Sequence, residues 1–172
     1  MRKFLLPLLF ILLFIAESLF VQFLPGDFFG GNRILAPRFL FSALLLLTIF
    51  VGRKKGIIYA AIFGLIFDIV YIEIIGIYLF LFPFVAYVIS KIMHVLQANI
   101  IVAYFVSILG IALLEIGVYE MDYLIHVTNL DFLDFLNLRL YPTLILNAAF
   151  LLIFIYPLKR YFEKYAEALR DE

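Results

Sequence analysis

Six apolar runs, each near the length that crosses a bilayer, constrain this 172-residue chain more than any other feature. A helix spanning the hydrocarbon needs about 20 such residues, or roughly 17 at the short end. The runs cover residues 4–24, 34–51, 57–72, 77–93, 100–118 and 138–158. The third has only 16 residues, about 24 Å of helix. Between runs three and four, Glu73 and Gly76 are the only natural break, so the pair reads as a tight helical hairpin, with a re-entrant element as the alternative. The chain is 67% hydrophobic, where a soluble domain is about half apolar. No stretch is long and polar enough for a separate soluble domain.

The first run begins Met-Arg-Lys and loosely resembles a secretory signal, with Ala16-Glu-Ser18 where cleavage would fall. Glu17 is a poor residue there, and the apolar run continues to Leu24, so the segment is read as a retained span. Lysine and arginine then set the orientation. With the N-terminus inside, Arg2, Lys3, Arg53, Lys54, Lys55, Lys91, Lys159, Arg160, Lys164 and Arg170 fall inside; only Arg33, Arg38 and Arg139 fall outside. Asp27, Glu73, Glu120, Asp122, Asp131 and Asp134 fall outside. The expected fold is an all-α membrane protein of six transmembrane helices with both termini cytoplasmic. Residues 1–158 form the membrane domain and 159–172 a cytoplasmic amphipathic helix.

Two segments belong at the membrane surfaces. Thr128-Asn-Leu-Asp131 fits a capping box and opens a stretch, 128–137, that is either an interfacial helix or a loop resting on the membrane. After residue 158, Tyr161, Phe162, Tyr165 and Leu169 recur at helical spacing. That stripe can pack on its own chain, lie on lipid or meet a cytoplasmic partner.

Charges inside the apolar runs carry the functional question. Asp68, Glu17 and Glu115 are embedded in otherwise apolar sequence, and an ionised carboxylate in hydrocarbon costs at least a few kcal/mol on insertion scales. Each needs a partner, a proton or a water-filled cavity. In the expected topology all three lie in the outer half, where Arg38 and Arg139 enter from runs two and six. Asn147, midway along run six, is the next polar group inward. The inner half is nearly free of charge, which argues against a proton wire or ion path across the bilayer. The layer either holds helices together, underlies a partner site, or lines an outward-opening cavity. Sequence does not say which carboxylate faces which arginine. Ala60, Ala61 and Gly64 on run three, Gly110, Ala112 and Gly117 on run five, and Ala148 and Ala149 on run six allow close helix approach.

The chemistry of common enzymes is missing. There is no GxGxxG, Walker A or HExxH motif, no GxSxG elbow and no cysteine. The two histidines, His94 and His126, fall on opposite sides. No catalytic, cofactor-binding or metal-ligating residue is expected, nor any nucleic-acid partner.

Three segments carry a family resemblance. They are Leu35-Ala-Pro-Arg-Phe-Leu40, Gly64-Leu-Ile-Phe-Asp68-Ile-Val-Tyr-Ile-Glu-Ile-Ile-Gly76-Ile-Tyr, and Pro142-Thr-Leu-Ile-Leu-Asn147 followed by Tyr156-Pro-Leu158. In this order, with a short charged tail ending Leu169-Arg-Asp-Glu172, the chain resembles the MreD family of bacterial rod-shape-determining membrane proteins over essentially its whole length. The resemblance implies a non-catalytic scaffold of the elongation machinery, in the bacterial cytoplasmic membrane. It implies pairing with MreC, a single-span protein, and an indirect link to a class B penicillin-binding transpeptidase, RodA and MreB filaments. It also implies a fold similar to the six-helix substrate-binding subunits of energy-coupling-factor transporters. Those bind ligand toward the outer face, so a small-molecule-binding subunit is the alternative.

Overall fold

A computed structural model describes residues 2–23, 33–72, 74–96 and 99–170; Asp27 and Glu73 lie outside the described residues. Among these every regular element is helical: α1 (Arg2–Phe23), α2 (Phe39–Phe50), α3 (Arg53–Tyr71), α4 (Ile77–Leu96), α5 (Ile100–Leu124), the short α6 (Phe132–Phe135) and α7 (Tyr141–Arg170). A π-helical turn, Leu136–Leu140, joins α6 to α7.

Among the described residues four helices are long and apolar enough to cross a membrane: Leu5–Phe23, Ile77–Leu96, Ile100–Leu124 and the continuous Phe132–Arg170. The other two expected spans differ in kind. α3 has 19 residues but opens on Arg53, Lys54 and Lys55 and carries Asp68. α2 has only 12 residues, about 18 Å of helix, well short of the roughly 30 Å of hydrocarbon.

The shortness of α2 has a local cause. Pro37 confines the residue before it to extended backbone and has no N–H to give. Residues 33–38 therefore enter without helical structure, and the helix starts five residues later than the apolar run. Once begun, α2 is the centre of the bundle. Phe39 to Thr48 are all buried, and α1, α3, α4, α5 and α7 all pack on it. A helix apolar on every side fits only such a position.

α3 and α4 form the expected hairpin and the closest helix pair. Gly76 turns it with φ +130°, a conformation that costs glycine little. Gly64 permits the close approach: a Cβ there would fall on the backbone carbonyl of Tyr78. Gly64→Ala is expected to splay the hairpin and cost about 1–3 kcal/mol. Gly117→Ala meets only the Leu81 side chain, at 2.9 Å, which can rotate away. Thermal unfolding of the two variants in detergent should rank them in that order.

α7 passes Pro157 and continues to Arg170 as one helix. Phe162 is fully buried, its ring stacked 6.3 Å from that of Phe10 on α1. It is therefore core, not a surface open to a partner. Tyr161, Tyr165 and Leu169 are half-buried. The 128–137 segment also differs from expectation. Thr128 accepts a hydrogen bond from Leu130 N (3.3 Å), a local turn that leaves no capping box. Helix begins only after Asp131 and leads into α7. Phe135 anchors it, stacked on Tyr119 at 4.2 Å.

Candidate functional site

The site lies where α1, α3 and α5 end and α2, α4 and α7 begin. Its cause is the non-helical segment 33–38. Buried backbone N–H and C=O groups need partners, so irregular backbone inside a helical bundle survives where protein supplies them. α7 supplies most of them. Thr143 and Asn147, four residues apart, share one face, and Arg139 lies in the π-helical turn just before them. Thr143 Oγ1 accepts from Ala36 N (3.1 Å). Asn147 Oδ1 accepts from Arg38 N (2.8 Å), while its Nδ2 donates to Ala36 O (3.0 Å) and Thr143 O (2.8 Å). Pro142 adds a partner by omission. Lacking an N–H, it cannot donate to Leu138 O, and that carbonyl accepts Ile34 N instead (2.8 Å).

The three carboxylates divide into two kinds. Glu115, fully buried on α5, binds both arginines: Arg38 Nε donates to one oxygen at 2.6 Å and Arg139 Nε to the other at 3.0 Å. Arg38 also donates through Nη2 to the Tyr78 hydroxyl (2.7 Å). Glu17 and Asp68 turn to backbone instead. Glu17 Oε2 accepts from Leu40 N (3.1 Å), in the first turn of α2. Asp68 accepts from Gly76, Tyr78 and Leu79 N–H, each at 2.9 Å. It thereby caps α4 from the preceding helix. Helix N-termini leave orphan N–H donors, and each carboxylate is placed to accept from them.

Structure thus groups Arg38, Arg139, Glu115 and Asn147 around the entry of α2, with Glu17 beside them. Asp68 stands apart on the hairpin; among the described residues it pairs with no arginine. Sequence reading missed Tyr78 and Thr143. The spacing of Thr143 midway between Arg139 and Asn147 was a signal for the second; a tyrosine in an apolar run gave none for the first.

Asn147→Leu is expected to cost about 1–3 kcal/mol, because Arg38 N and Ala36 O would be buried without partners. Unfolding in mixed micelles measures it, and Asn147→Ala should behave alike.

A cavity of about 350 Å³ opens at the same end, lined in part by members of this network. Glu17, Arg38, Asp122 and Arg139 contribute charge, while Val21, Leu35, Phe67 and Val118 give apolar wall. Among the described residues no cluster of histidines or carboxylates could hold a metal ion.

These features define a multi-pass helical membrane protein whose embedded charges are spent largely on its own backbone and on one another. The family model for rod shape-determining protein MreD matches residues 2–165. The chain is 37% identical to "Rod shape-determining protein MreD" of Bacillus subtilis (strain 168), over 172 residues and the whole of both chains. It is 29% identical to "Cell shape-determining protein MreD" of Streptococcus pneumoniae (strain ATCC BAA-255 / R6), over 149 residues, 87% of this chain and 90% of the relative. The chain belongs to the MreD family, which is a shape-determining family and not one of enzymes. No solved structure matches it, so the likeness to energy-coupling-factor subunits rests on the family resemblance alone.

Proposed function

We propose that the chain is a non-catalytic membrane scaffold of the cell-wall elongation machinery, pairing with an MreC-like single-span protein and helping to maintain rod shape. The observation that carries this reading is the polar layer itself. Its carboxylates cap helix starts or bind arginines, which is the work of holding a fold rather than of turning over a substrate. Full-length similarity to shape-determining relatives supports the same role.

In this reading the protein spans the bacterial cytoplasmic membrane six times with both ends inside. Basic residues at the opposite end of the bundle support that orientation. There Arg53 lies 4.3 Å from the centre of the Tyr87 ring and Lys159 5.6 Å from that of Phe50, as cations and aromatics do at a headgroup boundary. The polar layer then faces the extracellular side, where the folded part of a single-span partner would meet it. The transpeptidase, RodA and MreB filaments would be reached through that partner.

Deleting the gene from its native host is expected to turn rods into rounded cells, and re-expressing the wild-type chain to restore them. Normal rods after deletion would contradict the proposal. The outward cavity favours a second reading, a small-molecule-binding subunit. It predicts that some solute raises the thermal unfolding temperature of the wild-type protein and not of a variant with the cavity filled, such as Val118→Phe.

A further inference from the structure

We propose that the basic end of the bundle holds a headgroup site for one anionic phospholipid, built by Lys164, Lys55, Tyr161 and Tyr165 with Leu5 as its apolar wall. The site exists because α7 does not stop where its apolar run ends. Its extension lies back on α1, with Phe162 buried against Phe10. Between them is a crevice of about 180 Å³ lined by Leu5, Tyr161, Lys164 and Tyr165. Leu5 lies in the first turn of α1, which begins at Arg2. The crevice is therefore level with the start of the apolar span, where headgroups lie.

Two ammonium groups address it. Lys55 Nζ donates to the Tyr165 hydroxyl (3.3 Å) and stands 4.9 Å from the centre of the Tyr165 ring. This single bond uses one of its three donors and fixes the charge beside the crevice. Lys164 is exposed in the crevice lining. From Leu5 an apolar strip continues along α1 through Leu8 and Leu12, all about half exposed. The spacing of three and four residues keeps them on one face, a track for an acyl chain leading from the headgroup. Arg53, Lys54 and Arg160 belong to the same basic end, while Lys159 is paired with Glu163 at 3.6 Å; the excess of cations favours an anionic lipid, since a zwitterionic one would bring its own positive charge among them.

Native mass spectrometry of the full-length protein in detergent tests this, with dioleoyl phosphatidylglycerol and dioleoyl phosphatidylcholine as probes. One phosphatidylglycerol should be retained in clear preference to phosphatidylcholine. Lys164→Gln and Lys55→Gln should each weaken its binding about fivefold. Lys54→Gln, the same charge change outside the crevice, should have little effect. If Lys54→Gln weakens binding as much, the attraction is a diffuse basic belt and the site is refuted. Equal retention of the two lipids, or equal competition by glycerol phosphate without acyl chains, also overturns it. Should Lys55→Gln unfold the protein, the exposed Lys164→Gln carries the test alone.

Discussion

Replacing Glu115 by alanine is expected to lower the unfolding free energy by about 3–5 kcal/mol, the cost of leaving a buried ion without its partner. Glu115 is the only described acid that meets either guanidinium within ion-pair distance. Arg38 is the vulnerable partner: it is buried, at the start of α2, and among the described residues its side chain keeps only the Tyr78 hydroxyl as a hydrogen-bond partner once the carboxylate is gone. Arg139 is less affected, because its side chain is 24% exposed and can swing toward water. Arg38→Ala should therefore be severe, and Arg139→Ala mild. Arg38→Met combined with Glu115→Leu should recover much of the loss, since apolar groups of similar volume replace a buried pair at little cost. Denaturant titration in mixed micelles, analysed as a double-mutant cycle, measures this. Additive losses from Arg38 and Glu115 would mean that the pair is not coupled.

The second large effect belongs to Asp68. Asp68→Ala removes the acceptor of three backbone N–H groups at the start of α4. The expected loss is about 2–3 kcal/mol, above an ordinary cap because the site is buried. Asp68→Asn keeps one carbonyl oxygen and should lose about half as much. The fault should stay local. Hydrogen exchange is expected to rise at Gly76, Tyr78 and Leu79 while the α2 entry around Ala36 and Arg38 stays protected. Exchange rising equally at both places would join Asp68 to the arginine cluster, which the geometry keeps separate. In the scaffold account Asp68→Asn weakens assembly or stability and leaves any ligand affinity unchanged.

Much of this was legible in the sequence, and the reasons it stopped are physical. Apolar run length located the helices, because the bilayer thickness fixes how much chain each crossing needs. Counting residues from the run ends placed Glu17, Asp68, Glu115, Arg38 and Arg139 in one layer. Pairing within that layer was not readable. Depth is linear in residue number, but the direction a side chain faces depends on how each helix is rotated against its neighbours. Asp68 shows the consequence: it shares the depth of the arginines yet faces the start of its own hairpin partner. The late start of α2 is a second case. Ile34 and Leu35 are as apolar as the helix that follows, so hydropathy ran on through Pro37, while the backbone did not. Once that segment is extended, Thr143 and Asn147 acquire a purpose that neither had as isolated polar residues in an apolar run. Phe162 is a third case: its helical spacing after Pro157 left its direction open, and contact with Phe10 turns it inward.

In the proposed reading this polar layer holds one end of the bundle in shape for a membrane-anchored partner. Affinity purification of the tagged chain from native-host membranes tests it most directly, comparing wild type with Glu115→Ala. A single-span MreC-like protein is expected to be recovered with the wild type in a fixed ratio and to be lost from the variant. A monodisperse wild-type protein recovered without any such companion, from cells that keep their rod shape when the gene is deleted, would contradict it.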